Sequence, residues 1–187
     1  IKRLDKGAVI FNTEREEGFA VFVVDNTNRT EARYWIDDFL RVRQRQDNYH
    51  NTHNTLAMCK KYVTKHLSKE FEVSKADQAE LLNETMKYFQ EQESFSMDDF
   101  SEKVIRQPEV VESFTRFRQE YEQDRDIRIE DEFGISDSAV KKQARSYKSV
   151  IKLDRNFHIY VHGNRNLLEQ GEDEKGKFYK VYYEEEE

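Results

Sequence analysis

The residues with the clearest chemical potential are seven Lys and Arg side chains clustered within residues 136–165. Only Asp137 and Asp154 oppose them, which leaves a local charge of +5 in a chain whose net charge is −7. Clustered cations bind phosphate, because each neutralised phosphate releases condensed counterions. The sequence therefore predicts a nucleic-acid contact through these side chains. They are Lys141, Lys142, Arg145, Lys148, Lys152, Arg155 and Arg165.

A short helix is predicted to carry the first part of this cluster. Ser136 is a suitable N-cap residue, and the charge of Asp137 suits the positive end of the helix dipole. Val140, Ala144 and Tyr147 follow at helical spacing and form a narrow apolar face. Cations repeat that spacing one residue later, at Lys141, Arg145 and Lys148. They either bridge successive phosphates or form a solvated helix face.

A basic and aromatic strand is predicted next, over residues 156–162. Strand alternation places Phe157, Ile159 and Val161 on a core-facing side. His158, Tyr160 and His162 then share the opposite side. This row either stacks on bases and contacts the sugar-phosphate backbone, or forms a sheet face covered by a helix.

Metal chemistry is a weaker hypothesis. Asp47, His50 and His53 lie close together, with Cys59 and His66 further along. A zinc site needs a second pair of ligands at recognisable spacing, which the sequence lacks, and the segment reads better as a capped helix start.

A nuclease or hydrolase centre is equally weakly indicated. The paired carboxylates Asp37 and Asp38 could hold Mg²⁺, but no third acid or lysine completes a nuclease pattern. A metal-dependent hydrolase using these acids with His50 and His53 remains a distant alternative. No glycine-rich phosphate loop, GxSxG or HExxH motif occurs, so the sequence predicts no catalytic residue, metal or cofactor.

The composition indicates a folded, highly polar protein. Charged residues make up 37% of the 187 positions, while 13 Phe and 10 Tyr supply bulky core material. The single Cys59 excludes an internal disulfide. No apolar run approaches the roughly 18 residues of a membrane span, and no secretory leader is visible. We therefore expect a cytoplasmic protein with no membrane contact; the start at Ile1 also suggests a fragment of a longer one.

The order of the predicted elements is strands, then helices, then strands. Strands are expected at residues 8–11, 19–24 and 32–36, and again at residues 150–153, 157–161 and 178–183. This order favours an α+β fold with a mostly antiparallel sheet built from the N- and C-terminal strands and a helical middle segment. The chain is either one unit over residues 1–187, or a sheet-containing part (1–50 plus 136–187) with a helical insertion at 51–135.

The helical middle has clear start signals. A helix is expected over residues 53–66, and Ser74 with Asp77 resembles a capping box for the next one. Pro108 suits the first turn of a later helix. That helix carries one apolar stripe at helical spacing, formed by Val110, Phe114, Phe117 and Tyr121.

The same middle segment is strongly acidic. Residues 69–135 carry 9 Lys and Arg against 19 Asp and Glu. These charges either solvate the outer faces of the helices, or repel DNA locally, or dock a basic protein partner.

Three strings in the chain resemble the bacterial nucleoid-associated protein family (NdpA-like). They are YWIDDFL at residues 34–40, FEVSKADQ at residues 71–78, and the stretch 136–162 that ends in VIKLDRNFHIYVH. The resemblance covers about residues 31–165 and implies association with the bacterial chromosome without enzymatic activity. Family members are longer, so it also implies that this chain is a C-terminal portion.

Two functional hypotheses follow. The first is a non-enzymatic nucleoid-associated protein that contacts DNA phosphates with little sequence specificity. The alternative is a protein-interaction or dimerisation module, which reaches the nucleoid through a basic protein partner or forms a homo-oligomer. The two differ in whether the cations converge on one surface or are scattered and tied up in ion pairs.

Overall fold

Two compact units, Ile1–Arg45 and Gln46–Glu187, make up the chain. The computed structural model describes residues 5–11, 19–26, 35–42, 45–147, 150–154, 156–161 and 167–185. Its strands and helices confirm the predicted α+β class. Among the described residues, no helix is long and apolar enough to cross a membrane.

The first unit contains one antiparallel hairpin. Its strands are β1 (Lys6–Phe11) and β2 (Ala20–Asp25), with Val9 opposite Phe22. Both strands were expected from their β-branched runs, and the structure confirms them.

The third predicted strand of this unit, at residues 32–36, is wrong where the structure describes it. Trp35 and Ile36 begin a π-helical segment, Trp35–Leu40, while residues 32–34 lie outside the described part. The ring of Trp35 stacks on that of Phe39, four residues on, with centroids 4.8 Å apart. A helical turn brings such a pair together, whereas a strand would hold the two rings far apart.

The second unit is built around a long, interrupted helix. It runs as α1 (Asn48–Lys61), a π-helical turn (Tyr62–His66) and α2 (Leu67–Glu70). The predicted helix over residues 53–66 is confirmed but begins earlier. Its start is fixed by Asp47, whose Oδ1 accepts a hydrogen bond from the backbone N–H of His50 at 3.0 Å.

Helix α3 (Lys75–Glu91) begins at the predicted capping box. The Ser74 hydroxyl accepts a hydrogen bond from the Asp77 N–H at 3.1 Å. The Asp77 carboxylate in turn accepts one from the Ser74 N–H at 2.9 Å. Two orphan N–H groups of the first turn are thus satisfied.

Replacing Ser74 with alanine is therefore expected to lower the free energy of unfolding by about 1 kcal/mol. Urea denaturation followed by circular dichroism measures this change. Ser68→Ala, at an exposed serine in α2, is the matched control and should leave the midpoint unchanged. Equal midpoints for Ser74→Ala and wild type would show that the box contributes nothing to stability.

The remaining helices and the β3–β4 pair enclose an aromatic core. The helices are α4 (Met97–Phe100), its π-helical extension (Ser101–Ile105) and α5 (Pro108–Arg125). Strands β3 (Ser94–Ser96) and β4 (Glu132–Gly134) are antiparallel and stack Phe95 on Phe133, with centroids 4.8 Å apart. The predicted stripe of α5 is confirmed, since all four of its residues are buried.

The chain then forms a short helix and two more hairpins. These elements are α6 (Asp137–Ala144), β5 (Val150–Leu153), β6 (Phe157–Tyr160), β7 (Leu168–Asp173) and β8 (Gly176–Val181). A second, smaller core joins them to α3 through Ala76, Ala79, Ile151 and Leu168. Within the described residues, every sheet is a two-stranded antiparallel pair rather than part of one larger sheet.

Candidate nucleic-acid interface

Helix α6, which carries the first predicted cations, is fixed against α1. Val140 is buried, and the hydroxyl of buried Tyr147 donates a hydrogen bond to the backbone carbonyl of Leu56. The backbone N–H of Ser136 donates to the Thr52 hydroxyl at 3.0 Å. The predicted docking face is therefore confirmed.

The predicted role of the Ser136 side chain is wrong. Ser136 stands at the N-cap position, but its hydroxyl makes no capping bond to the helix. It lies 3.1 Å from the Ser138 hydroxyl instead. The helix start is held by Thr52 of α1, so α6 depends on tertiary contact more than on its own cap.

The cations of α6 point away from this contact. Lys141, Lys142 and Arg145 are exposed, and Arg145 follows the last helical residue in right-handed helical conformation. Lys141 and Arg145 thus keep their four-residue spacing. Lys152 is exposed on β5. The other predicted phosphate contacts lie outside the described residues; they are Lys148, Arg155 and Arg165.

Cations in the acidic middle segment behave differently, because carboxylates engage them. Arg106 pairs with Glu84 at 3.1 Å, and Arg116 with Glu112 at 2.9 Å. Lys103 pairs with Asp99 at 2.8 Å. By contrast, across the described ranges no ion pair involves the four described cations of the predicted cluster. Their charge stays available to a phosphate.

Aromatic side chains of α1 lie beside α6. The Lys142 ammonium donates a hydrogen bond to the Tyr49 hydroxyl at 3.1 Å and lies 5.8 Å from the centre of its ring. Tyr49 in turn stacks on His53, with centroids 6.2 Å apart. The Gln143 amide lies 3.0 Å from His53 Nδ1. This network holds Lys142 at the seam between the two helices.

Two further cations continue this surface on the other side of His53. Lys61 lies 5.3 Å and Arg125 4.5 Å from the centre of the Tyr121 ring. Burial lowers the pKa of His53, and nearby positive charges, Lys142 and Arg125 among them, lower it further. Lys142 and Arg125 are thus both close enough to act on one imidazole.

Sequence reasoning missed Lys61 and Arg125. A usable signal exists, because Tyr49, His53, Ala57 and Lys61 recur every four residues along α1. These positions form the stripe of α1 that is not buried. The rest of its first half is polar yet buried, which hides the periodicity that an apolar face would show.

That buried polar half explains the residues considered as metal ligands. Asp47 caps the helix, and His50 Nε2 lies 2.9 Å from the Asn54 amide. Burial also lowers the pKa of His50, which favours the neutral ring. No cluster of three or more potential metal ligands occurs among the described residues. The segment is therefore a capped helix start, the reading that the sequence favoured.

The β5–β6 hairpin shows which side of the predicted aromatic row faces outward. Ile151 lies opposite Ile159, and both contribute to the smaller core. Lys152 lies opposite His158, and both are exposed, as is Tyr160. The expected core position of Phe157 is wrong, since its side chain is 65% exposed beside the turn. His162 lies outside the described residues.

Together these features define an α+β protein with a helical aromatic core and an exposed basic surface along α6 and α1. The chain belongs to the nucleoid-associated protein YejK family, whose model matches residues 1–186. This match extends beyond the strings at residues 31–165, while the expected C-terminal portion of a longer protein stays a prediction. No curated protein and no solved structure matches the chain. Family membership supports a nucleoid-associated role.

Proposed function

We propose that this protein is a non-enzymatic, cytoplasmic nucleoid-associated protein that contacts DNA phosphates with little sequence specificity. One observation carries the proposal: Lys141, Lys142 and Arg145 are exposed and form no ion pair with any described residue. Phosphate oxygens are the natural partners for such a cluster, because binding releases counterions from the DNA.

The α1 stripe gives this surface a useful length. Tyr49 and Lys61 are twelve residues apart on one helix, which at about 1.5 Å per residue is about 18 Å. A duplex advances about 3.4 Å per base pair, so the stripe spans about five base pairs. Lys142 at one end and Lys61 with Arg125 at the other could therefore reach separate phosphates.

The overall negative charge is compatible with this binding mode. The paired cations of the middle segment leave an acidic surface that repels DNA, so the basic surface of α6 and α1 is the side that approaches it. The acidic segment thereby orients the protein, while the local cluster supplies the affinity.

Little sequence specificity is expected, since α6 spans only eight residues and its exposed side chains are mainly Lys and Arg, which suit phosphates. Two duplexes of equal length and unrelated sequence should bind with the same affinity at low salt, measured by fluorescence anisotropy. An absence of binding to both, even at low salt, would overturn the proposal.

A protein-interaction or dimerisation module is the alternative. The β1–β2 hairpin favours it, because the cross-strand neighbours Val9 and Phe22 are 59% and 68% exposed. Isolated two-stranded hairpins are marginally stable in water, so a second copy that covers this face would stabilise it. In a related form of this alternative, the acidic residues 69–135 dock a basic nucleoid protein.

Light scattering of the purified chain over a range of concentrations tests the dimer. A dimeric mass that Phe22→Ser converts to a monomer would support it. A monomeric mass for the wild type at every concentration would contradict it.

A further inference from the structure

The outer face of the β5–β6 hairpin combines two rings with a cation. Lys152 and His158 are direct cross-strand neighbours, and Tyr160 lies two residues further along the same face. Tyr160 is 57% exposed. Residues two apart on a strand are separated by about 7 Å, so the two rings form a short row along β6.

The hairpin holds this face in a fixed orientation. On its inner side, Ile151 is 2% exposed and packs with Ala76 and Ala79 of α3. The Asn83 amide donates a hydrogen bond to the Val161 carbonyl at 3.2 Å, which ties the end of β6 to the same helix. Strand alternation then directs His158 and Tyr160 away from α3.

We infer that this face, formed by Lys152, His158 and Tyr160, stacks the unpaired bases of single-stranded DNA. The inference rests on the proposed function, because the cations of α6 would hold the phosphate backbone of the same strand. It adds a ligand class to that function, namely DNA whose bases are not paired.

Unpaired bases suit this face for a chemical reason. Bases inside a duplex are stacked on one another, so an exposed protein ring can reach the face of a base only where the duplex is open. Stacking is tolerant of sequence, since every base has a π-face. Lys152, directly beside His158, supplies a positive charge for the adjoining phosphate.

The choice of single-stranded DNA over a protein partner rests on charge. Lys152 and the α6 cations precede the rings in the chain, whereas an apolar protein patch would place aliphatic side chains there. The basic and aromatic composition matches surfaces that follow a nucleic-acid strand.

The experiment compares an oligothymidine with a duplex of the same length, using fluorescence anisotropy on the full chain. His158→Ala/Tyr160→Ala should weaken single-strand binding by at least about fivefold, the lower end of the 1–3 kcal/mol that one stacked base contributes. Duplex binding should stay unchanged. Tyr160→Phe keeps the ring and should retain wild-type affinity for both ligands.

Tyr183→Ala is the matched control, because Tyr183 is 69% exposed but lies beyond the last strand. It should leave single-strand binding intact, and thermal melting shows whether each variant folds. If the double variant binds the oligothymidine as wild type does, the inference is overturned and the face is free for a protein partner.

The two proposals fail in different ways. Wild type that binds neither ligand would overturn the proposed function. Wild type that binds duplex, with the double variant indistinguishable on the single strand, would overturn only the stacking face. Equal losses on both ligands would also contradict it, because the face would then act as a general phosphate contact.

Discussion

Replacing Lys141, Lys142 and Arg145 together with alanine is expected to reduce affinity for a random-sequence duplex about a hundredfold at about 0.1 M salt. Each side chain is exposed and makes no ion pair within the described ranges, so each can neutralise one phosphate. Three lost contacts forfeit the corresponding counterion release. The buried face of α6 is untouched, so the helix should stay docked. Fluorescence anisotropy measures the change.

A matched triple variant separates this local effect from net charge. Lys87→Ala/Lys103→Ala/Arg116→Ala removes the same number of cations, but these pair with Glu91, Asp99 and Glu112. It should bind the duplex almost as well as wild type does. Equal losses in both variants would mean that total charge, rather than the α6 surface, controls binding.

The second large effect concerns the core that positions this surface. Phe114→Ala is expected to lower the free energy of unfolding by about 3–5 kcal/mol, because it leaves a cavity among large rings. Phe114 is 2% exposed and meets Tyr62 edge-on, with centroids 5.1 Å apart. Since small domains are stable by only about 5–15 kcal/mol, most of the margin would be lost.

Urea denaturation measures the loss, and Phe157→Ala is the matched control. Phe157 is 65% exposed, so its removal should change the free energy of unfolding by less than about 0.5 kcal/mol. Similar midpoints for the two alanine variants would contradict the placement of Phe114 in the core.

Local signals made much of the fold predictable from sequence. The capping box at Ser74 and the proline at Pro108 mark helix starts, and both act within one turn. The stripe of α5 needs only the helical period to be recognised. The hairpins β1–β2 and β5–β6 were predictable because β-branched residues flank short turns.

Features that depend on distant contacts were not predictable. The segment 32–36 was expected to be a strand, but the Trp35–Phe39 stack accompanies a helical turn instead. The first half of α1 is polar, yet it is buried because its side chains bond to segments far along the chain; Thr52, for example, accepts from the Ser136 N–H. Phe157 follows strand alternation but lies at the hairpin end, where the core no longer covers it.

The candidate site divides in the same way. Charge density alone predicted the cations of α6, since they are close in sequence. Lys61 and Arg125 join the surface only because α1 and α5 bring them to opposite sides of the Tyr121 ring. Ion pairing, which distinguishes engaged from available cations, is likewise a property of the folded chain.

A salt titration of duplex binding tests the central claim most directly, with wild type beside Lys141→Ala/Lys142→Ala/Arg145→Ala. The account predicts that log affinity falls linearly with log salt for the wild type. The slope should become shallower by about three in the variant, one unit for each lost phosphate contact. Identical slopes for the two proteins would contradict phosphate contact through α6, even if both bind DNA.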